Sequence, residues 1–247
     1  MVRPKTDQEI ELMAKSGAIT AYALRRVLDA IDANISLLEL DALAESCILE
    51  KGGAPSFKTV DDYSYTTCIN VNDGIVHGLP NKYRLKEGDL VSIDLGTVYK
   101  GYHSDVSYTV EVGTSKEAAF LNTGLTALEA GISKLRVGKR LGDVGNAIQT
   151  IVENAGYTVS EDLVGHGIGT EVHEPPYVPG YGTPNTGLKL KAGMVFAIEV
   201  IYQKGEPDIV ILDDNWTIAT KDGSLSGLFE QTVVVTKHGP KILTPFI

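Results

Sequence analysis

Cysteine is scarce: Cys47 and Cys68 are the only two in 247 residues, and they fall in different predicted elements. A disulfide framework is therefore excluded as the basis of the fold, and a reducing cytoplasm is the simpler setting. No run approaches the ~18 consecutive apolar residues of a membrane-spanning helix. The N-terminus, Met1-Val2-Arg3-Pro4-Lys5, lacks the apolar core of a secretory signal and passes straight into polar, helix-starting residues. Basic residues are outnumbered, 22 Lys and Arg against 32 Asp and Glu, for a formal charge of −10. That balance argues against nucleic-acid binding, which needs a basic face to meet phosphate. Cations and protonated amines are more natural partners. Nucleotide and serine-hydrolase signatures are also missing: Gly138-Lys139 has no upstream phosphate-loop glycine, and no Gly-x-Gly-x-x-Gly or Gly-x-Ser-x-Gly element occurs.

What is present is a globular composition, 43% hydrophobic and 22% charged, so the chain is expected to fold along its whole length. Thr6-Asp7-Gln8-Glu9 reads as a capping box opening a long amphipathic helix, with apolar residues at three-and-four spacing from Ile10 to Ile31. Ser36-Leu37-Leu38-Glu39 opens a second helix, which Gly52 and Gly53 should end. Strands follow over Thr67 to Asn72 and Leu90 to Tyr99, the latter facing Tyr102 to Val112 across a two-residue turn at Lys100-Gly101. The order then repeats. Thr114-Ser115-Lys116-Glu117 caps a helix to about Leu135, Asp143 starts another to about Ala155, and strands return from Leu163.

Leu85 to Leu95 aligns without gaps against Leu190 to Val200, which sets Asp94 on Glu199. Val76-His77-Gly78-Leu79-Pro80 matches Val172-His173-Glu174-Pro175-Pro176, and Asp105 and Glu230 each lead an apolar, β-branched strand. Three ordered matches, each carrying an ionisable residue, indicate a duplication. The expected organisation is one domain over 1–247, with pseudo-two-fold halves of about 1–112 and 113–247 and a single site at their junction.

A two-residue turn makes facing positions sum to 201, so Asp105 lies opposite Gly96 and diagonal to Asp94, with both acids on one sheet face. Gly96, lacking a side chain, would leave room for a cation. Asp94 and Glu199 interrupt apolar strands, and Glu230 precedes another. A buried carboxylate is costly without a counter-charge, and four together raise one another's pKa. Two divalent cations would neutralise them, and a carboxylate-rich set with one imidazole suits Mn, Fe(II), Co or Zn. The imidazole is His166, among the glycines of Gly165-His166-Gly167-Ile168-Gly169, which would allow unusual backbone angles and close approach to an ion. His77 and His173 are expected to touch substrate. His103 and His238 read as surface or packing residues, and Glu171 and Glu174 as supporting or solvated groups rather than ligands.

With these residues in hand, the chain resembles the bacterial type I methionine aminopeptidases over nearly its whole length. The resemblance rests on Asn72 to Pro80, Asp94 with Asp105, Gly165 to Gly169 with His173-Glu174-x-Pro176, Glu199, and Thr220 to Ser224 leading to Phe229-Glu230. It implies the pita-bread α/β (α+β) fold of creatinases and aminopeptidases, a duplicated half with a curved antiparallel sheet and outer helices. It further implies an enzyme that hydrolyses the N-terminal methionine from nascent chains ahead of a small second residue, with a metal-bridged hydroxide attacking the scissile carbonyl. Asp94 would chelate, Asp105 and Glu230 bridge, and His166 and Glu199 bind one metal. His77, His173 and Glu199 would be catalytic, and Tyr63, Cys68 and Trp216 would join the two histidines in holding substrate. Val172, Gln231 and the stretch Asp61 to Tyr65 depart from the commonest pattern of the family. The expected setting is a cytoplasmic monomer acting on nascent N-termini, with the ribosome as a candidate partner and no nucleic-acid or membrane contact. An X-Pro aminopeptidase or prolidase is the nearest rival reading, although those enzymes usually carry an additional N-terminal domain and a further histidine near Gly-His-Gly. A metal-free binding module is the other, and it gives no reason to bury four acids.

Overall fold

Apolar residues at helical spacing and two capping boxes place the first two helices where the sequence predicts them. A computed structural model describes residues 2–246. In it α1 (Asp7–Asp29) and α2 (Leu37–Glu50) are capped by Thr6 with Glu9 and by Ser36 with Glu39, both boxes complete. The short β1 (Ala54–Pro55) follows, then β2 (Thr67–Val71), β3 (Gly74–Val76), β4 (Leu90–Tyr99) and β5 (Tyr102–Glu111). Next come α3 (Ala118–Ser133) and α4 (Leu141–Asn154). The rest is β6 (Thr158–Val159), β7 (Gly165–Gly167), β8 (Glu174–Val178), β9 (Val195–Gln203), β10 (Ile209–Ile211), β11 (Ile218–Thr220), β12 (Ser226–Thr236) and β13 (Gly239–Ile242).

The main sheet runs β1-β4-β5-β12-β9-β7-β8, with β2 on β4, β6 on β9 and β13 on β12; all its pairings are antiparallel. A smaller sheet, β10-β11-β3, carries the segment leading to His77. Strand alternation separates the two faces of the main sheet. Ile93, Leu95 and Val106 pack with α1 and α2, while Ile198, Val200, Phe229 and Val233 pack with α3 and α4. The helices therefore cover one face, and Asp94, Asp105, Glu199 and Glu230, of the other parity, project from the opposite one.

The third helix departs from expectation. Thr114 does not cap it; α3 begins at Ala118 with no side-chain cap from its own N-terminal residue. Instead the Glu111 carboxylate, at the end of β5, accepts from the Thr114 hydroxyl and from the N–H groups of Lys116 (3.1 Å) and Glu117 (2.8 Å). For α4, Asp143 stands inside the first turn rather than at its start, and accepts from the Arg140 N–H at 2.9 Å.

Candidate active site

Lys100 and Gly101 both have positive φ, +49° and +81°, the requirement of a tight hairpin turn. That turn pairs Gly96 with Asp105 and Asp94 with Ser107, the expected register. Ser107 pairs in turn with Glu230, and Glu230 with Glu199. Asp94, Ser107, Glu230 and Glu199 thus form one row across four strands, with Asp105 beside it. His166 on β7 lies across from Ala197, two residues before Glu199. Gly96 serves a different purpose from the one expected: a Cβ there would lie 2.8 Å from the Ser104 oxygen and 2.8 Å from Ser56, so the glycine admits the Ser56-Phe57 wall rather than an ion. Nor do the glycines around His166 need unusual angles, since none has positive φ. A Cβ on Gly167 would instead strike the Pro175 carbonyl at 2.5 Å, so their role is close strand packing.

The donor atoms of Asp105, His166 and Glu230 all lie within 4.8 Å of one another and are buried. His166 Nε2 is 3.9 Å from Glu230 Oε1 and 4.0 Å from Glu199 Oε1. His166 Nδ1 is 2.9 Å from the Gly167 carbonyl, which can only accept, so Nδ1 carries the proton and Nε2 presents its lone pair to the acids. Desolvation raises all four carboxyls above their ordinary range, Asp94 to about 7 and Glu199 to about 8. The neighbouring charges add to the rise at Asp105 and Glu230. Burial lowers His166 to about 4 and also depresses His77 and His173, so the three imidazoles are neutral at pH 7.

The acids line the floor of a cavity of about 650 Å³, and all ten residues singled out in the sequence reach it. His173 stands edge-to-face with His166, ring centroids 4.5 Å apart. His77 sits at φ +58°, a strained conformation for a non-glycine residue, next to Gly78, whose N–H donates to Asn70 Oδ1 and whose carbonyl accepts from Ile69. On one side the cavity is apolar. Tyr63, Cys68, Phe57 and Val172 form a buried cluster against which Trp216 packs, 5.0 Å from the Tyr63 ring. Val172, where the family pattern often has an aromatic residue, belongs to that cluster without lining the cavity. Gln231 faces away and donates to the Thr244 carbonyl.

His103 is buried and its Nδ1 lies 2.6 Å from Ser56 Oγ, the packing role expected, while His238 is exposed. Glu174 is committed to Lys5 Nζ at 2.6 Å and to the Thr170 N–H and hydroxyl, which leaves it a supporting group beside His173. Three contributors went unread in the sequence. Ser107 donates to Glu230 Oε2 at 3.0 Å, and its place two residues after Asp105 on one strand was the available signal. Lys5 gave no local signal. Asp41 gave one, an acid on the apolar stripe of α2; it lies outside the cavity and meets its wall only through Thr67, whose N–H and hydroxyl donate to it and whose carbonyl accepts the Tyr63 hydroxyl.

Residues 11–237 match the family described as Metallopeptidase family M24. The methionine aminopeptidase of Clostridium perfringens is 44% identical over 246 residues, 99% of each chain. The crystal structure of the methionine aminopeptidase from Thermotoga maritima superposes with a TM-score of 0.96 at 41% identity and 99% coverage of both chains. The prolidase of Pyrococcus horikoshii superposes at 0.80 and 26% identity, covering 99% of this chain but 64% of the prolidase. The architecture is accordingly the pita-bread fold, a mixed α/β structure with an antiparallel sheet and helices. The buried Asp105, His166 and Glu230 group is of the kind that could hold a divalent metal, and the chain belongs to metallopeptidase family M24, among the methionine aminopeptidases.

Proposed function

We propose that this chain removes the N-terminal methionine from nascent proteins and peptides, preferring a small second residue. The observation that carries the reading is the row Asp94, Ser107, Glu230 and Glu199, flanked by Asp105 and His166, opening beside an apolar, sulfur-containing wall. The donor set fits divalent metal: Asp94 Oδ1 and Glu230 Oε1 are buried with no hydrogen-bond partner, and four carboxylates together need positive charge to ionise. In this reading Asp94, Asp105, His166, Glu199 and Glu230 hold two ions, of Mn, Co, Fe(II) or Zn. When bound, such ions supply an ionised water at neutral pH and polarise the scissile carbonyl.

The chain's own groups do the rest. A linear thioether packs well against aromatic rings and sulfur, which suits the side chain of methionine to Tyr63, Cys68 and Trp216. His173, neutral, donates from its ring N–H to the scissile carbonyl oxygen and to the oxyanion it becomes. His77 contacts the substrate next to the scissile bond. Glu199 takes the proton of the attacking water on its carboxylate and returns it to the departing amine, so the products are free methionine and a chain with a new amino terminus.

The reading treats residues 1–247 as one catalytic unit of two related halves, supported by two helices preceding strands twice in the element order. It places a monomer in a reducing cytoplasm, on nascent N-termini and with the ribosome as a candidate partner. In support, Cys47 and Cys68 are buried and unpaired, and among the described residues no helix is long and apolar enough to cross a membrane. The test is an assay of metal-free protein, with each metal restored, on Met-Ala-Ser, Met-Lys-Ser and Ala-Pro-Ser. Metal-dependent release from the first alone is expected, with turnover lost in folded Glu199→Gln. Cleavage of Ala-Pro-Ser would transfer the chain to the prolidase class, and no cleavage would favour a binding role.

A further inference from the structure

Asp41 stands on the inward stripe of α2 beside Leu40 and Ala44, only 8% exposed, and does not line the cavity. Its Oδ1 accepts from the N–H groups of Thr66 (3.0 Å) and Thr67 (2.9 Å) and from the Thr67 hydroxyl (2.7 Å). Burial pushes the Asp41 carboxyl up and these three bonds oppose that push; converging on one oxygen, they hold residues 66 and 67 in place. The Thr67 carbonyl then accepts the Tyr63 hydroxyl at 2.7 Å, and the Tyr63 oxygen accepts from the Cys68 thiol at 3.2 Å. Tyr63 packs edge-on against Trp216. A chain of bonds therefore leads from a helix outside the cavity to Tyr63 and Cys68 of its wall, and a ring contact carries it on to Trp216.

We propose that Asp41 is a positioning residue that sets the width of the side-chain cavity through Thr67 and Tyr63, and so selects an unbranched over a branched side chain at the substrate's first residue. The proposal rests on the aminopeptidase reading. Its physical basis is that removing the acceptor leaves two buried N–H groups unpaired. The 63–68 segment then shifts to find partners, and the Tyr63 ring moves with it.

The experiment compares metal-loaded wild type, Asp41→Ala and Asp41→Asn on Met-Ala-Ser and Leu-Ala-Ser, and records the emission of Trp216, the only tryptophan in the chain. In Asp41→Ala the preference for methionine over leucine should fall on the order of tenfold, the scale on which an apolar pocket discriminates a change in side-chain shape. The loss should lie mainly in KM for the methionine peptide, with kcat within about twofold, the limit of a change that leaves the reacting groups in place. Trp216 emission should shift, and Asp41→Asn, which keeps an oxygen acceptor, should restore most of both. Wild-type preference and emission in a folded Asp41→Ala would overturn the proposal. So would an equal loss of kcat on both peptides, which marks mere support of the fold. Should Asp41→Ala not fold, Thr67→Val removes one hydroxyl donor and must shift preference and emission in the same sense, and unchanged values overturn the proposal. If wild type cleaves neither peptide the aminopeptidase reading fails, whereas the emission comparison still decides whether Asp41 sets the wall.

Discussion

Lys5 and Glu174 meet across 169 positions, with the lysine side chain 7% and the glutamate 20% exposed. Glu174 follows His173 directly and gathers the Thr170 N–H and hydroxyl, so the pair ties the N-terminal segment to the loop carrying His173. Removing one partner of a largely desolvated, part-buried pair leaves the other uncompensated, which costs more than the pair contributes net. Lys5→Met should therefore destabilise the protein by about 3 kcal/mol, and adding Glu174→Gln should recover much of that. Urea unfolding of the two variants measures this, and a Lys5→Met cost below about 0.5 kcal/mol, the level of an ordinary surface change, would remove the pair from the fold's essential contacts. This contact was illegible in the sequence because a lysine near a chain end carries no mark of its partner. Asp94 and Glu199 were legible for the opposite reason: each interrupts an apolar strand, a conflict visible locally.

Between residue and fold stand the elements, and they differ in how far their ends are decided locally. The β4–β5 hairpin was readable to the residue because a two-residue turn fixes every facing pair at once. Helices α1 and α2 were readable because their caps lie within the same few residues. The start of α3 was not, since the N–H groups of Lys116 and Glu117, the two residues leading into it, are met by Glu111 from the preceding strand rather than by Thr114. Glu111 thus closes β5 and opens α3 with one carboxylate. Glu111→Ala should cost about 1 kcal/mol, the usual value of a lost cap, and Thr114→Ala less, because the backbone donors keep their acceptor. Amide exchange at Lys116 and Glu117 should rise in the first variant, and an unchanged rate there would show that another group satisfies these donors.

At the scale of the whole molecule, β12 lies between β5 and β9, and this insertion brings the acids of both halves into one row. Local pattern carries no information on such long-range pairing, so the sequence pointed to the acids that converge but not to the direct facing of Glu230 and Glu199. The arrangement makes stability depend on pH and metal together. An unfolded chain releases its carboxyl protons near pH 4, whereas the folded, metal-free protein keeps them at Asp94 to about 7 and at Glu199 to about 8, with Asp105 and Glu230 also raised. The folded state binds more protons, so stability falls as pH rises through these values, by about 1.4 kcal/mol per pH unit for each proton still retained. The buried histidines act in the opposite sense: with their folded pKa values lowered, they add stability as pH rises, but only until the unfolded imidazole has lost its proton near 6.5. Above pH 7 the acids remain, joined toward pH 8.5 by the buried Cys47 and Cys68 thiols, which burial also raises and which act in the same sense, so pH 7 to 8 is the window in which the acids dominate and pH 7 to 8.5 the one in which Tm is followed. In that window the Tm of metal-free protein should fall. Divalent metal binds the ionised carboxylates and displaces their protons, so added Mn should raise Tm more at pH 8.5 than at pH 7, with proton release detectable in weakly buffered solution. A metal-free Tm that rises from pH 7 to 8.5 would mean that the four carboxyls are already ionised without metal. The burial of the row would then have to be offset by some other positive charge.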